Sequence, residues 1–143
     1  MFKKETEYAL RGLVYIQVQN RQNRKPGIAE IASEIDAPPP FTAKILQRLV
    51  RLGFIESLKG KNGGYYFDPR EPALPLKKVV EAIEGDRIFT SCGFGLRQCD
   101  DENPCPLHED YVPIRESIEK LLTNETIQDL AKSENPKVVL NRF

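Results

Sequence analysis

The chain has 143 residues, with 21 Lys/Arg balanced by 21 Asp/Glu and 40% hydrophobic residues, which is length enough for one domain, or one domain with an appendage, to bury a core without disulfide or metal staples. Its first residues mix Lys3, Lys4, Glu5, Glu7 and Arg11 with apolar positions, and nowhere does an apolar run approach the roughly 18 residues of a membrane span, so a cytoplasmic protein is expected, with no secretory leader and no membrane partner. The net charge of zero conceals an asymmetry: residues 1–70 carry 12 Lys/Arg against 7 Asp/Glu (+5) and residues 71–143 carry 9 against 14 (−5), which makes the first half the candidate polyanion binder.

Residues 3–19 form the first expected helix, with Tyr8, Leu10, Leu13, Val14, Ile16 and Val18 as a broad apolar stripe. Pro26-Gly27 closes the polar loop that follows. Ile28, Ile31, Ala32 and Ile35 then recur at helical spacing, so residues 28–36 predict a short helix with one buried face. Asp36-Ala37-Pro38-Pro39-Pro40 stops it, because consecutive prolines remove backbone donors and push each preceding residue out of the α region. A proline still fits the first turn of a new helix. That helix has Phe41, Ile45, Leu46, Leu49 and Leu52 as its expected inner face, Thr42, Lys44, Gln47, Arg48 and Arg51 as its outer face, and Gly53 as its C-terminal stop. Two short helices joined by a tight turn, the second basic on its outside, make a helix-turn-helix.

Residues 54–58 and 65–67 are β-prone and flank Lys59-Gly60-Lys61-Asn62-Gly63-Gly64, where the Asn-Gly step signals a hairpin. A hairpin with two lysines at its tip, directly after the second helix, is a wing. Beyond Pro72, the residues Leu76, Val79, Val80 and Ile83 predict another amphipathic helix ending at Gly85. Residues 86–106 show no periodicity. Leu107, Tyr111, Ile114, Ile118 and Leu121 then form a seam spaced four, three, four, three, as in a helix that lies along a partner, with Pro113 near its start. A single chain of this length offers no matching long seam, so self-association is the simplest use and Tyr111, Ile114, Ile118 and Leu121 are the expected homodimer interface, with packing of the helix back on its own domain as the alternative. The expected fold is therefore mainly α with a small β-hairpin wing. Residues 1–70 would be the DNA-binding domain, 71–91 a connecting helix, 92–108 a Cys/His loop, and 109–143 the dimerisation helix and tail.

The functional expectation is a regulator of double-stranded DNA. The second helix would enter the major groove, with Thr42, Lys44, Gln47, Arg48 and Arg51 near base edges or phosphates, while Lys59 and Lys61 reach an adjacent groove or backbone. A two-fold dimer implies a pseudo-palindromic operator. An enzyme is not expected, since there is no phosphate-binding loop and no nucleophile near a base except Cys105 with His108. A winged-helix protein-interaction module is the alternative class.

Cys92, Cys99, Cys105 and His108, the only histidine, are separated by six, five and two residues. An odd number of cysteines cannot all pair within one chain, and a reducing compartment keeps thiols free, so metal or redox chemistry outranks a disulfide framework. Three thiolates and one imidazole complete a four-ligand set for a soft or borderline metal. Zinc, an iron-sulfur cluster and free thiols with no metal all remain compatible with that set.

Tyr8-Ala9-Leu10-Arg11, Leu46-Gln47-Arg48-Leu49 with Gly53-Phe54-Ile55, and Gly60-Lys61-Asn62-Gly63-Gly64-Tyr65 resemble the family of winged-helix regulators typified by IscR, NsrR and CymR, over nearly the whole chain. The resemblance implies a dimer built on a long C-terminal helix and control of transcription, often as a repressor, in response to iron-sulfur or redox state. It also carries over Cys92, Cys99, Cys105 and His108 as ligands, most simply of a 2Fe-2S cluster, although the first cysteine interval is one residue longer here. In the nitric-oxide-sensing members the fourth ligand is an acidic residue of the first helix, a part Glu5 or Glu7 could take. Lys59 stands where the family has arginine, and Pro38-Pro39-Pro40 is unlike the iron-sulfur regulators. On this reading, ligand binding orders the loop and shifts the spacing of the two recognition helices.

Overall fold

A computed structural model describes residues 1–132. The elements run α1 (Lys4–Arg21), α2 (Ile28–Glu34), α3 (Pro39–Arg51), β1 (Glu56–Leu58), β2 (Gly64–Tyr66), α4 (Leu76–Glu84), α5 (Arg87–Thr90), α6 (His108–Asn124) and α7 (Ile127–Ala131). Among the described residues the architecture is mainly helical with one antiparallel hairpin, as expected. Among the described residues no helix is long and apolar enough to cross a membrane.

The core sits around α1. Ala9, Leu13 and Ile16 on α1 meet Ile31 and Ile35 from α2, Ile45, Leu46 and Leu49 from α3, Ile55, and Val79 and Val80 from α4. Burying each of the Leu, Ile and Val side chains contributes about 1.5–3 kcal/mol, so α1 organises the first half of the chain and ties it to α4. The turn into α3 is made by Asp36 at φ +52°, with the Ala37 N–H donating to the Ala32 carbonyl at 3.0 Å. Pro39 and Pro40 occupy the first turn of α3, where their missing N–H groups would have had no helical partner anyway. At the other end Gly53 adopts φ +78° and the Phe54 N–H reaches back to the Leu49 carbonyl at 3.1 Å, the glycine stop expected there.

The hairpin pairs Glu56 with Tyr66, Ser57 with Tyr65 and Leu58 with Gly64. The turn is longer than a two-residue Asn-Gly turn: Gly60 (φ +94°) and Asn62 (φ +65°) take the left-handed conformations, and the Gly63 N–H donates to the Gly60 carbonyl at 3.0 Å. The base of the wing is clamped to the end of α1. Asn20 accepts the Phe67 N–H at 2.9 Å and donates to the carbonyls of Arg24 and Tyr65, while the Tyr65 N–H donates to the Pro26 carbonyl. Gly64 is required here, because a Cβ would collide with the Lys25 and Pro26 backbone and φ is +147°.

Two helical turns fell outside the sequence expectation. One is the four-residue α5 inside the segment that shows no periodicity. The other is α7, which lies within the expected dimerisation helix and tail. It buries Ile127 and Ala131, and α1 reaches it through Arg21, which donates to the Ala131 carbonyl at 2.9 Å. The Leu76 N–H to Glu125 carbonyl and Ile127 N–H to Leu74 carbonyl bonds bring the chain after α6 back beside the start of α4. The C-terminal portion of the expected tail, residues 133–143, lies outside the described residues.

Candidate functional site

The outer face of α3 is exposed at Phe41, Lys44, Gln47 and Arg51, residues at steps of three, three and four that share one side of the helix. No Asp or Glu occurs between residues 37 and 55, so the face offers cations and amides with no carboxylate to repel a polyanion. Lys59 and Lys61 project from the exposed wing tip.

Two expected members of that face are not on it. Thr42 is 1% exposed, and its hydroxyl donates to the Pro38 carbonyl at 3.1 Å. The back-bond satisfies the hydroxyl, which is why a threonine can point into the core at the first turn of α3. Arg48 is turned toward α1 and α4: its guanidinium meets Glu5 Oε1 at 2.8 Å and the carbonyls of Ala82 and Ile83 at 3.2 and 3.4 Å. It links the last turn of α3 to the last turn of α4, immediately ahead of the segment that leads to the cysteines. With Glu5 taken by Arg48 and Glu7 3.3 Å from Lys4, both candidate acidic ligands of the first helix are paired within their own chain.

The loop from residue 91 to 107 brings the four expected donors into one neighbourhood as two pairs. Cys92 Sγ lies 3.5 Å from Cys105 Sγ, and Cys99 Sγ lies 3.5 Å from His108 Nδ1. The pairs are joined through the turn at the start of α6, where the His108 N–H donates to the Cys105 carbonyl at 3.1 Å. Among the described residues no three or more His, Cys, Asp or Glu side chains converge in ligating geometry. The arrangement is pairwise rather than a closed shell.

Three features shape the surroundings of these atoms. The backbone N–H groups of Leu96 and Phe94 point at Cys92 Sγ and hold its thiol below the ordinary thiol range, with smaller help from Cys105 and Gly95 and against the raising effect of burial. His108 Nε2 lies 2.9 Å from Asp101 Oδ1, which fixes the ring and leaves Nδ1 toward Cys99, the outer-sphere support that metal-bound imidazoles commonly have. The entrance to the loop is held by Arg115 of α6, which donates to the carbonyls of Thr90 at 3.3 Å and Ser91 at 2.8 Å.

The Rrf2 model, described as an iron-dependent transcriptional regulator, matches residues 2–133. The chain belongs to the Rrf2 family. Protein aau3 of Rhizobium meliloti is 30% identical over 131 residues, covering 91% of this chain and 84% of that protein. The transcriptional regulator IscR of Yersinia pseudotuberculosis is 23% identical over 135 residues, covering 94% and 81% respectively. The structure of CymR, the global cysteine regulator of B. subtilis, matches with a TM-score of 0.72 at 20% identity over 92% of this chain and 95% of that one, a likeness of fold. This Rrf2 protein is thus a transcriptional regulator with the winged-helix fold, not an enzyme, and DNA binding follows from the family.

The expected dimer seam of this Rrf2 chain divides. Tyr111 and Ile118 are half-buried, Tyr111 lying against Gly93 and Ile118 against the core of its own domain next to the buried Leu122. Leu107, Ile114 and Leu121 form the outer edge, with Ile114 57% and Leu121 56% exposed. The stripe on α6 is wider than a single seam, one edge serving its own domain and the other left open. Two further residues escaped the sequence reading. Asp101 lies seven residues before the histidine it orients, in a segment with no period to place it. Phe41, assigned to the core, is 60% exposed, because it lies on the outer side of the first turn of α3 whose inner side carries the buried Thr42.

Proposed function

We propose that this Rrf2 regulator is a cytoplasmic homodimer that presents α3 and the wing to a pseudo-palindromic operator and represses transcription according to whether a 2Fe-2S cluster occupies its cysteine loop. Residues 1–70 would be the DNA-reading unit, 71–91 the connection and 92–108 the sensor. The outer edge of α6 (Leu107, Ile114, Leu121), flanked by Tyr111 and Ile118, would meet the second copy. Lys44, Gln47, Arg51, Lys59 and Lys61 are the proposed DNA contacts. Thr42 supports them by anchoring the first turn of α3, and Arg48 by tying α3 to α4.

The observation that carries the sensor reading is the pairing of donors, Cys92 with Cys105 and Cys99 with His108. A two-iron cluster takes two protein ligands per iron, and a metal–thiolate bond of about 2.3 Å sets two thiolates on one tetrahedral metal about 3.8 Å apart, close to the separation of Cys92 and Cys105. Such a cluster supplies reversible one-electron and assembly chemistry, with a potential that histidine ligation raises. This chain's residues provide the rest. The N–H groups of Phe94 and Leu96 favour the thiolate form of Cys92, and Asp101 holds the His108 ring. Ordering of the loop would reach α3 through α5, the last turn of α4 and Arg48. Couplings between sites typically amount to 5–150-fold in affinity.

The close approach of Cys92 and Cys105 favours a second reading, a cluster-free thiol sensor, and a single zinc at the same donors is a third. Iron, sulfide and zinc analysis with visible absorption on anaerobically purified protein separates them. The cluster reading expects colour with iron and sulfide in equal amounts, lost in Cys99→Ala. Zinc without sulfide, or a colourless metal-free protein that resists reconstitution, contradicts it. Binding to duplex DNA that weakens steeply with salt distinguishes the DNA reading from a protein-interaction module.

A further inference from the structure

We infer that Phe41 is a sequence-reading residue that recognises the 5-methyl group of thymine in the major groove. The inference rests on the DNA reading above and deepens it by naming a base and the atom recognised.

A phenylalanine on a soluble protein is normally covered, and sixty per cent exposure leaves most of this ring in water. Its surroundings define the surface it belongs to. Phe41 lies in the first turn of α3, on the same side as Lys44, Gln47 and Arg51, in a stretch with no acidic side chain. A recognition helix offers its N-terminal residues to base edges and its basic residues to phosphates, so a residue in the first turn stands where direct readout takes place.

The position is rigid. Pro39 and Pro40 set the backbone at the start of the helix, the Thr42 N–H and hydroxyl both donate to the Pro38 carbonyl, and the buried Ala37 and Thr42 bracket the exposed segment. The ring is therefore presented by a backbone with little freedom to lose on binding, which favours selective contact. A benzene ring offers no hydrogen bond, so it cannot read the donors and acceptors of guanine, cytosine or adenine. The only apolar group on the major-groove edges is the thymine methyl, which apolar side chains contact. Lys44 and Gln47, one and two turns further on, then bear on the neighbouring base pairs or phosphates.

The test starts from duplexes selected by the wild-type protein out of a randomised pool, so that no operator is assumed. Each thymidine in the recovered half-site is replaced singly by deoxyuridine, which removes the methyl and keeps every hydrogen bond, and the affinities of wild type and Phe41→Ala are compared at one salt concentration. Loss of one buried methyl contact is worth about fourfold. Wild type is expected to weaken about fourfold at one or two thymidines, whereas Phe41→Ala binds the unmodified duplex more weakly and shows no further loss on substitution. The exposed position makes the variant fold normally, and an unchanged thermal melting curve checks it. Wild type indifferent to deoxyuridine at every position, or Phe41→Ala retaining the full penalty, overturns the inference while DNA binding stands. Failure of wild type to bind any duplex in a salt-dependent way overturns the DNA reading and this inference with it.

Discussion

The winged-helix half and the cysteine loop are built on opposite principles. From α1 to β2 the recognition helix rests on fully buried apolar side chains, its turn and stop are closed by backbone hydrogen bonds, and the wing is clamped by Asn20 and Gly64. The segment from 91 to 107 has no regular element, buries Cys92 alone among its side chains, and leaves Phe94 and Leu96 more than half exposed. Stability resides in the first region. Such a division suits a sensor, because a loop with few contacts of its own is ordered cheaply by a ligand and disturbs the reading head only through the joints it shares with it.

If that contrast holds, substitutions in the two regions separate cleanly. The largest effect is expected from Leu49→Ala, which empties a fully buried site between α3 and α1 and destabilises by about 3 kcal/mol, read as a lower urea midpoint with unchanged slope. Gly64→Ala follows, at about 2 kcal/mol, since the added Cβ meets the Lys25 and Pro26 backbone at a strained φ. A wing displaced by that collision also lowers DNA affinity beyond the loss of fold stability. Cys99→Ala should leave the unfolding free energy of metal-free protein, from urea titration, within about 0.5 kcal/mol while abolishing iron retention. A large loss of metal-free stability in that variant would erase the contrast between the regions.

Arg48→Ala sharpens the comparison from the joint itself. Its ion pair with Glu5 is partly exposed and contributes little stability, under about 1 kcal/mol. The larger expected change is a reduced difference in operator affinity between cluster-loaded and cluster-free protein, measured by titration of each form. The smallest effect is that of Lys61→Ala at the wing tip, expected to reduce the slope of log affinity against log salt by about one per chain and to weaken all sequences alike.

The same contrast explains how much was legible in the sequence. Ile28, Ile31 and Ile35, then Ile45, Leu46 and Leu49, repeat at helical spacing because those helices bury one face on α1, and Gly53 is written into the backbone it must adopt. Periodicity loses force at helix ends: Phe41 shares the spacing of the buried residues, but in the first turn it is Thr42 that is buried and Phe41 that is left outside. Thr42 reads as a surface residue by type, yet its hydroxyl is satisfied by Pro38. α7 is five residues long, too short to show a period, and is held by the Thr126 hydroxyl accepting the Asp129 N–H at 3.0 Å and by long-range backbone bonds. In the loop, residue type and spacing named four candidate donors. Their division into two pairs and the part played by Asp101 depend on three-dimensional placement that no local pattern encodes.

The most direct test of the account compares one operator duplex, at one salt concentration and without oxygen, with the reconstituted protein and with the same protein stripped of iron and sulfide. The account predicts that reconstitution loads iron and sulfide in equal amounts and that the two forms differ at least about fivefold in affinity. Equal affinity of the two forms, or a reconstituted protein that holds no iron, would contradict it.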